Sequence, residues 1–156
     1  MIEKKGNIWA HYNEGRWVVV STNIGWKKNS ENPMGAGIAK TAAELQPELP
    51  AKYGAVCKKY GSKTAVWPYK SGKMILFPTK PLNEEMPWFS WKNDSCYKLI
   101  RRSAKQLAKL VEILREDHFI PTVVLPMVGC GNGNLSPKRV IPILEDYLDD
   151  DFILMR

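Results

Sequence analysis

Apolar residues along the chain fall into short β-branched runs separated by amphipathic stretches. "RWVVVST", Arg16 to Thr22, is a continuous β-branched run of the kind that forms a strand buried on both faces. "KTAVWPY" and "KMILFPT" predict two more strands joined through "KSG", with Pro68 blocking one ladder position. The centre of "IPTVVLPMV" predicts another buried strand, and "DFILMR" a short terminal one. "GAGIAKTAAELQ", from Gly35, favours a helix through its alanines and leucine, limited by Pro47. Pro50 to Tyr60 predicts a second, short helical or irregular segment. The clearest helix spans Asp94 to Arg115, where Leu99, Ile100, Ala104, Leu107, Ala108, Leu110, Val111 and Leu114 recur at three- and four-residue spacings. Asp94 or Ser95 is the expected cap, and Lys98, Arg101, Arg102, Lys105 and Lys109 occupy much of the opposite face. "KRVIPILEDYL" predicts a last helix, with Pro137 in its first turn after Ser136 and Pro142 as a local constraint. Strands alternating with helices predict a layered α/β/α domain with right-handed crossovers between parallel neighbours.

Composition narrows the class. A chain of 156 residues is the length of one domain, so residues 1–156 are expected to form a single unit around one core. No run approaches the roughly 18 apolar residues of a membrane span, and "MIEKKGNIW" lacks a signal-peptide core. A soluble, cytoplasmic protein with no membrane partner is the expectation. Cys57, Cys96 and Cys130 are odd in number and widely spaced, fitting neither a disulfide framework nor a zinc cluster. With only His11 and His118 beside them, no metal and no cofactor are expected. The formal charge of +7 suits polyanionic or phosphorylated partners without separating nucleic acid from a nucleotide. No aromatic-basic repeat or finger spacing supports sequence-specific DNA reading.

Two glycine-rich turns carry the candidate chemistry. "NPMGAGIA", Asn32 to Ala39, and "LPMVGCGNG", Leu125 to Gly133, each follow a predicted buried strand and precede a predicted helix. Ligands of such sheets bind beyond the carboxyl ends of strands, where loops meet helix N-termini. Gly35 and Gly37, and again Gly129, Gly131 and Gly133, let backbone N–H groups approach an anion, and two such turns face to face would hold a diphosphate. Either motif alone reads first as a tight connection; their joint placement raises the binding reading. There is no third glycine at the dinucleotide spacing and no "GKS" or "GKT", which disfavours hydride-transfer and ATP-hydrolysing folds.

"KKGNIW" at Lys4 to Trp9, "VVVSTN" at Val18 to Asn23, "MGAGIA" at Met34 to Ala39, "FPTK" at Phe77 to Lys80 and "LPMVGCGNGNL" at Leu125 to Leu135 together resemble a macro domain. The likeness runs from about Gly6 to Leu148 and is strongest to the branch containing the DNA ADP-ribosyl glycohydrolase antitoxins and the hydrolase that removes terminal ADP-ribose from glutamate. It implies an α/β, three-layer α/β/α macro domain with a central mixed, largely parallel sheet and an ADP-ribose cleft. Asn7 stands where the family carries an adenine-binding acid, keeping a carbonyl acceptor but losing the charge, with Ile8 beside the base. Met34, Gly35, Ala36, Gly37 and Ile38 would line the distal ribose and phosphate side. Val128, Gly129, Cys130, Gly131 and Asn132 would embrace the diphosphate. The asparagine that orients the distal ribose is Asn23 or, because "IGWKKNSEN" intervenes, Asn32.

By the same resemblance Lys80, in an intact "FPTK", is the catalytic residue, although a lysine after a strand is by itself a common solvated end. The glutamate-deribosylating relative carries an acid where this chain has Gly133, whereas the antitoxin-like form has glycine. The resemblance thus implies hydrolysis of an ADP-ribosyl linkage on nucleic acid or protein. ADP-ribose 1″-phosphate phosphatase activity and a non-catalytic binding module for ADP-ribose or a related nucleotide stay open. The expected partners are ADP-ribose or an ADP-ribosylated macromolecule, nucleic acid among the candidates, and the expected state is a monomer. Trp88 and Trp91 have faces for stacking on a sugar or base, or for covering the core, and the basic helix face suits a nucleic-acid backbone or solvent.

Overall fold

The computed structural model describes residues Met1–Arg156. Six strands form one sheet: β1 (Ile2–Lys4), β2 (Trp17–Asn23), β3 (Trp67–Tyr69), β4 (Met74–Lys80), β5 (Val123–Pro126) and β6 (Phe152–Met155). Their order is β1-β6-β5-β2-β4-β3. Every neighbouring pair is parallel except β3 with β4, which is antiparallel. Five α-helices accompany the sheet: α1 (Ile8–Asn13), α2 (Gly37–Leu45), α3 (Leu49–Tyr60), α4 (Tyr97–Leu114) and α5 (Pro137–Glu145). This is the expected three-layer α/β/α arrangement around a mixed, mostly parallel sheet.

Alternation along the strands builds two cores from one sheet. Trp17 and Val19 of β2, Ile75 and Phe77 of β4, and Val123 and Leu125 of β5 turn to one face, where they meet Ile100, Leu107 and Val111 of α4 and Val140 and Leu144 of α5. Val18 and Val20 of β2, with Met74 and Leu76 of β4, turn to the other, against Ala42 of α2 and Leu49, Tyr53 and Cys57 of α3. Val124, Ile153 and Met155 continue that second face toward Ile8 of α1. Burial on both sides explains why β2 and β4 read as continuous apolar runs.

Several boundaries depart from the sequence reading. β1 and α1 were not foreseen; β1 has only three residues and gains its pairing from β6, a partner at the far end of the chain. Trp9 lies in α1. The long helix starts at Tyr97, capped by the backbone of Cys96 with no side-chain hydrogen bond, so neither Asp94 nor Ser95 caps it. Both are drawn instead to the loop after β5: Ser95 N–H donates to Gly133 O at 2.9 Å, and Asn134 Nδ2 donates to Asp94 Oδ1 at 2.7 Å. Pro142 lies inside α5 without ending it. Gly54, in mid-α3, admits the long loop after β2: a Cβ there would meet Ser30 O at 2.0 Å. No helix is long and apolar enough to cross a membrane.

Phe77 is fully buried between β4 and the α4–α5 layer. Phe77→Ala should cost about 3–5 kcal/mol of unfolding free energy, read as a lower denaturant midpoint with an unchanged slope.

Candidate functional site

The carboxyl ends of the parallel strands open into one cleft of ≈ 1050 Å³. β2 and β4 deliver its polar floor. Their parallel register slips by one residue after Thr22, so that Asn23 pairs with Lys80. The two side chains leave the sheet from neighbouring strands, and both line the cleft. β5 delivers Pro126 and Met127 and then the second glycine turn.

The two turns named from sequence face each other across this space. Gly35, Ala36, Gly37 and Ile38 line one wall; Gly129, Cys130, Gly131 and Asn132 line the other. On the first wall the α2 ladder opens with Lys40 N–H donating to Ala36 O at 3.2 Å, so the N–H groups of Gly37, Ile38 and Ala39 have no backbone partner. On the second, Leu135 N–H closes the turn on Gly129 O at 3.0 Å and Asn134 N–H on Gly131 O at 3.2 Å, while the N–H groups of Gly131, Asn132 and Gly133 stay unpaired. Unpaired amides on two facing walls favour an anion between them.

The glycines divide by what surrounds them. A Cβ on Gly35 or Gly131 would meet nothing within 4 Å, so the fold itself does not demand glycine there and the side chain would project into open cleft. Gly133 is the reverse: a Cβ would lie 2.2 Å from Ser95 Oγ and 2.4 Å from Gly129 O. No side chain fits at that position, and an acid there would require the turn and the Asp94–Ser95 segment to separate.

Lys80 ends β4 with its Nζ donating to Trp91 O at 2.7 Å. Partial burial lowers the pKa of this amine from the ordinary lysine value, and the negative charge of Asp94 partly opposes the shift. Asn23 is buried and braced: Nδ2 donates to Pro33 O at 2.8 Å, and Oδ1 accepts from Gly25 N–H at 2.9 Å. Asn32 supplies the brace. Its Nδ2 lies 2.9 Å from Gly25 O and 3.1 Å from Asn23 Oδ1, and its N–H donates to Pro50 O at 2.9 Å. At 1% exposure Asn32 holds Asn23 from behind and does not line the cleft, which separates the two asparagines left open by sequence.

Met34 and Val128 also lie beneath the walls rather than on them, Met34 in the core over α2 and α3 and Val128 in the core under α4 and α5. Asn7 and Ile8 line an adjoining pocket of ≈ 330 Å³ that shares Gly37, Ile38 and Pro126 with the main cleft. Asn7 caps α1, its Oδ1 accepting from Trp9 N–H at 3.0 Å. A carbonyl oxygen has a second lone pair, so the cap leaves Oδ1 one further acceptor position.

Sequence reasoning missed a group of cleft residues: Thr22, Thr79, Asp94, Ser95 and Asn134. Thr79 was in view inside "FPTK"; Asp94 and Ser95 were read as helix caps. Trp91 was found, a residue 48% exposed that lines the cleft beside Lys92. Trp88 is half-buried and packs edge-on against Phe89 with ring centroids 6.2 Å apart. The basic helix face is partly engaged: Arg101 pairs with Asp146 at 3.0 Å, and Arg102 donates to Ser62 O and Thr64 O. Cys130 is half-buried, and burial pushes its thiol up from the ordinary value. Neither His11 nor His118 lines the cleft, so no cysteine-histidine pair forms there.

The fold is that of macrodomains. The chain is similar to the Thermosipho africanus DarTG structure in complex with ADP-ribose, with 20% identity and a TM-score of 0.72 over 99% of this chain and 41% of that one. It thus spans less than half of the Thermosipho chain. It is similar also to the macrodomain of Thermus aquaticus DarG, with 20% identity and a TM-score of 0.71 over 99% and 95% of the two chains. The macrodomain of Mycobacterium tuberculosis DarG aligns with 22% identity and a TM-score of 0.68 over 90% and 88%. No family model matches the sequence, and no curated protein matches it.

Two measurements check this geometry. Gly133→Ala should destabilise the fold by about 1–3 kcal/mol, whereas Gly131→Ala should stay within about 0.5 kcal/mol of the parent, both read by urea unfolding. The Lys80 amine should titrate below the ordinary lysine value in NMR spectra of the side-chain nitrogens. Because the folded state then sheds this proton before the unfolded state does, its contribution to stability rises as pH climbs between the two pKa values.

Proposed function

We propose that this macrodomain binds ADP-ribose in the cleft and hydrolyses an ADP-ribosyl linkage to a nucleic-acid or protein carrier. The observation that carries this reading is a cleft with two walls of unpaired amides and a floor carrying Asn23 and Lys80, adjoined through Gly37, Ile38 and Pro126 by a pocket lined by Asn7 and Ile8. An adenosine-diphosphate-sugar has that order of parts: a base at one end, two linked anions in the middle, a reactive sugar at the other. Asn7 and Ile8 receive the base. The amides of residues 37–39 and 131–133 receive the phosphates, helped by the N-terminal dipole of α2. Asn23, fixed by Asn32, orients the distal ribose, since its Nδ2 carries a second hydrogen beyond the one given to Pro33.

Lys80 stands at the ribose end as the acid of the reaction. Its ammonium donates a proton to the atom leaving the anomeric carbon, a task helped by an amine that gives up its proton more readily than an exposed lysine. The bond to Trp91 O keeps Nζ on the cleft side of β4. The second turn, Val128 to Leu135, contains no acid to partner this lysine, and position 133 has no room for one.

Three substrates test the reading together: a single-stranded oligonucleotide carrying one ADP-ribosyl group, an ADP-ribosylated protein, and ADP-ribose 1″-phosphate. Release of intact ADP-ribose from either carrier is the expected result. Release of inorganic phosphate alone would make the protein a phosphatase, and binding without turnover would make it a reader. Lys80→Ala should keep ADP-ribose binding and lose roughly 100-fold or more in turnover; undiminished turnover would remove Lys80 from the chemistry.

A further inference from the structure

Three residues lining the cleft carry formal charge, and two of these are lysines, Lys80 and Lys92. The third, Asp94, is the only carboxylate there. It lies between the loop that carries Trp91 and the start of α4, and it is tied to the opposite wall by Asn134 Nδ2, 2.7 Å from Oδ1. Its other oxygen, Oδ2, takes no hydrogen bond from the protein. Asp94 and Lys80 share the cleft without forming an ion pair, which leaves space between the carboxylate and the amine.

Hydrolysis at an anomeric carbon needs two proton transfers, one from the attacking water and one to the departing atom. A single ammonium cannot serve both in one step, because it has no lone pair with which to accept. Among the cleft's side chains Asp94 is the only carboxylate, and its Oδ2 is unengaged by the protein. We propose that Asp94 is the general base of this site and that Asn134 is its positioning residue, a reading that rests on the cleft being an ADP-ribosyl hydrolase.

The step balances with the groups present. The water oxygen bonds to the anomeric carbon, and its proton passes to Asp94 Oδ2. The bond from that carbon to the carrier atom breaks, the electron pair stays on the carrier atom, and that atom takes a proton from the Lys80 ammonium. Asp94 then loses its proton to solvent and Lys80 regains one, so that one water is consumed and the protein is restored. The arrangement also accounts for the two segments meeting at Ser95 and Gly133: their N–H···O bond of 2.9 Å holds Asp94 over the second turn.

The test compares the wild type with Asp94→Asn, Asp94→Ala and Asn134→Ala on whichever ADP-ribosylated carrier the wild type cleaves. Asparagine keeps Oδ1 as acceptor for Asn134, so the clasp survives and only the basicity is lost. Asp94→Asn should retain the parent's Tm and KM and lose roughly 100-fold or more in kcat. Asp94→Ala should recover part of its turnover with added formate, and Asn134→Ala should show a smaller fall in kcat. An unchanged kcat in Asp94→Asn, a loss confined to KM, or an Asp94→Ala variant that does not respond to formate would overturn the assignment and leave the hydrolase reading in place. A wild type that cleaves neither carrier would remove both.

Discussion

The parallel pairing of β2 with β4 is the constraint on which the site depends. Because the two strands run the same way, both end at one edge of the sheet, and the one-residue slip after Thr22 sets Asn23 beside Lys80. An antiparallel pair would have sent one of these residues to the opposite edge. The pairing is strongly fixed, since β2 and β4 are buried on both faces and any shift would carry their side chains from one core to the other. The polar floor of the cleft inherits that precision from apolar packing some distance beneath it.

Around this floor the loops are held by polar contacts of two kinds. Behind the first wall, Asn32 is buried so that Asn23 is not free to turn, an arrangement in which one asparagine supports while the other faces the cleft. Across the second wall, Ser95 and Asp94 clasp the glycine turn through Gly133 and Asn134. The clasp explains the crowding at Gly133: that position has no room for an acid, and the cleft's carboxylate, Asp94, stands on the segment packed against it. Open space at Gly35 and Gly131, set against crowding at Gly133, separates glycines that leave room for a ligand from a glycine that leaves room for the protein.

Much of this was legible in the chain. "RWVVVST" and "KMILFPT" announced buried strands because nothing polar interrupts them, and the α4 stripe announced its helix because burial on one face imposes the 3.6-residue period. The facing of the two glycine turns followed from their common setting after a strand and before a helix. The losses were of another sort. β1 owes its pairing to β6, residues nearly the whole chain away, and a three-residue strand has no period to show. Asp94 and Ser95 carry ordinary capping chemistry, and only the tertiary approach of the second turn draws them from the helix. Asn32, Met34 and Val128 sit within or beside glycine motifs whose other members line the cleft, and neighbours in a loop alternate between wall and core without a fixed spacing.

What joins these observations is a cleft whose two walls carry unpaired amides above a floor holding Asn23 and Lys80, and on it rests the proposal of two linked phosphates between the walls and a sugar at Lys80. Calorimetric titration of the wild-type protein with ADP-ribose, beside ATP and NAD, tests that most directly. Saturable one-to-one binding of ADP-ribose, tighter than that of the other two nucleotides, is the result this account expects. No heat of binding with ADP-ribose, from protein shown to be folded, would contradict it.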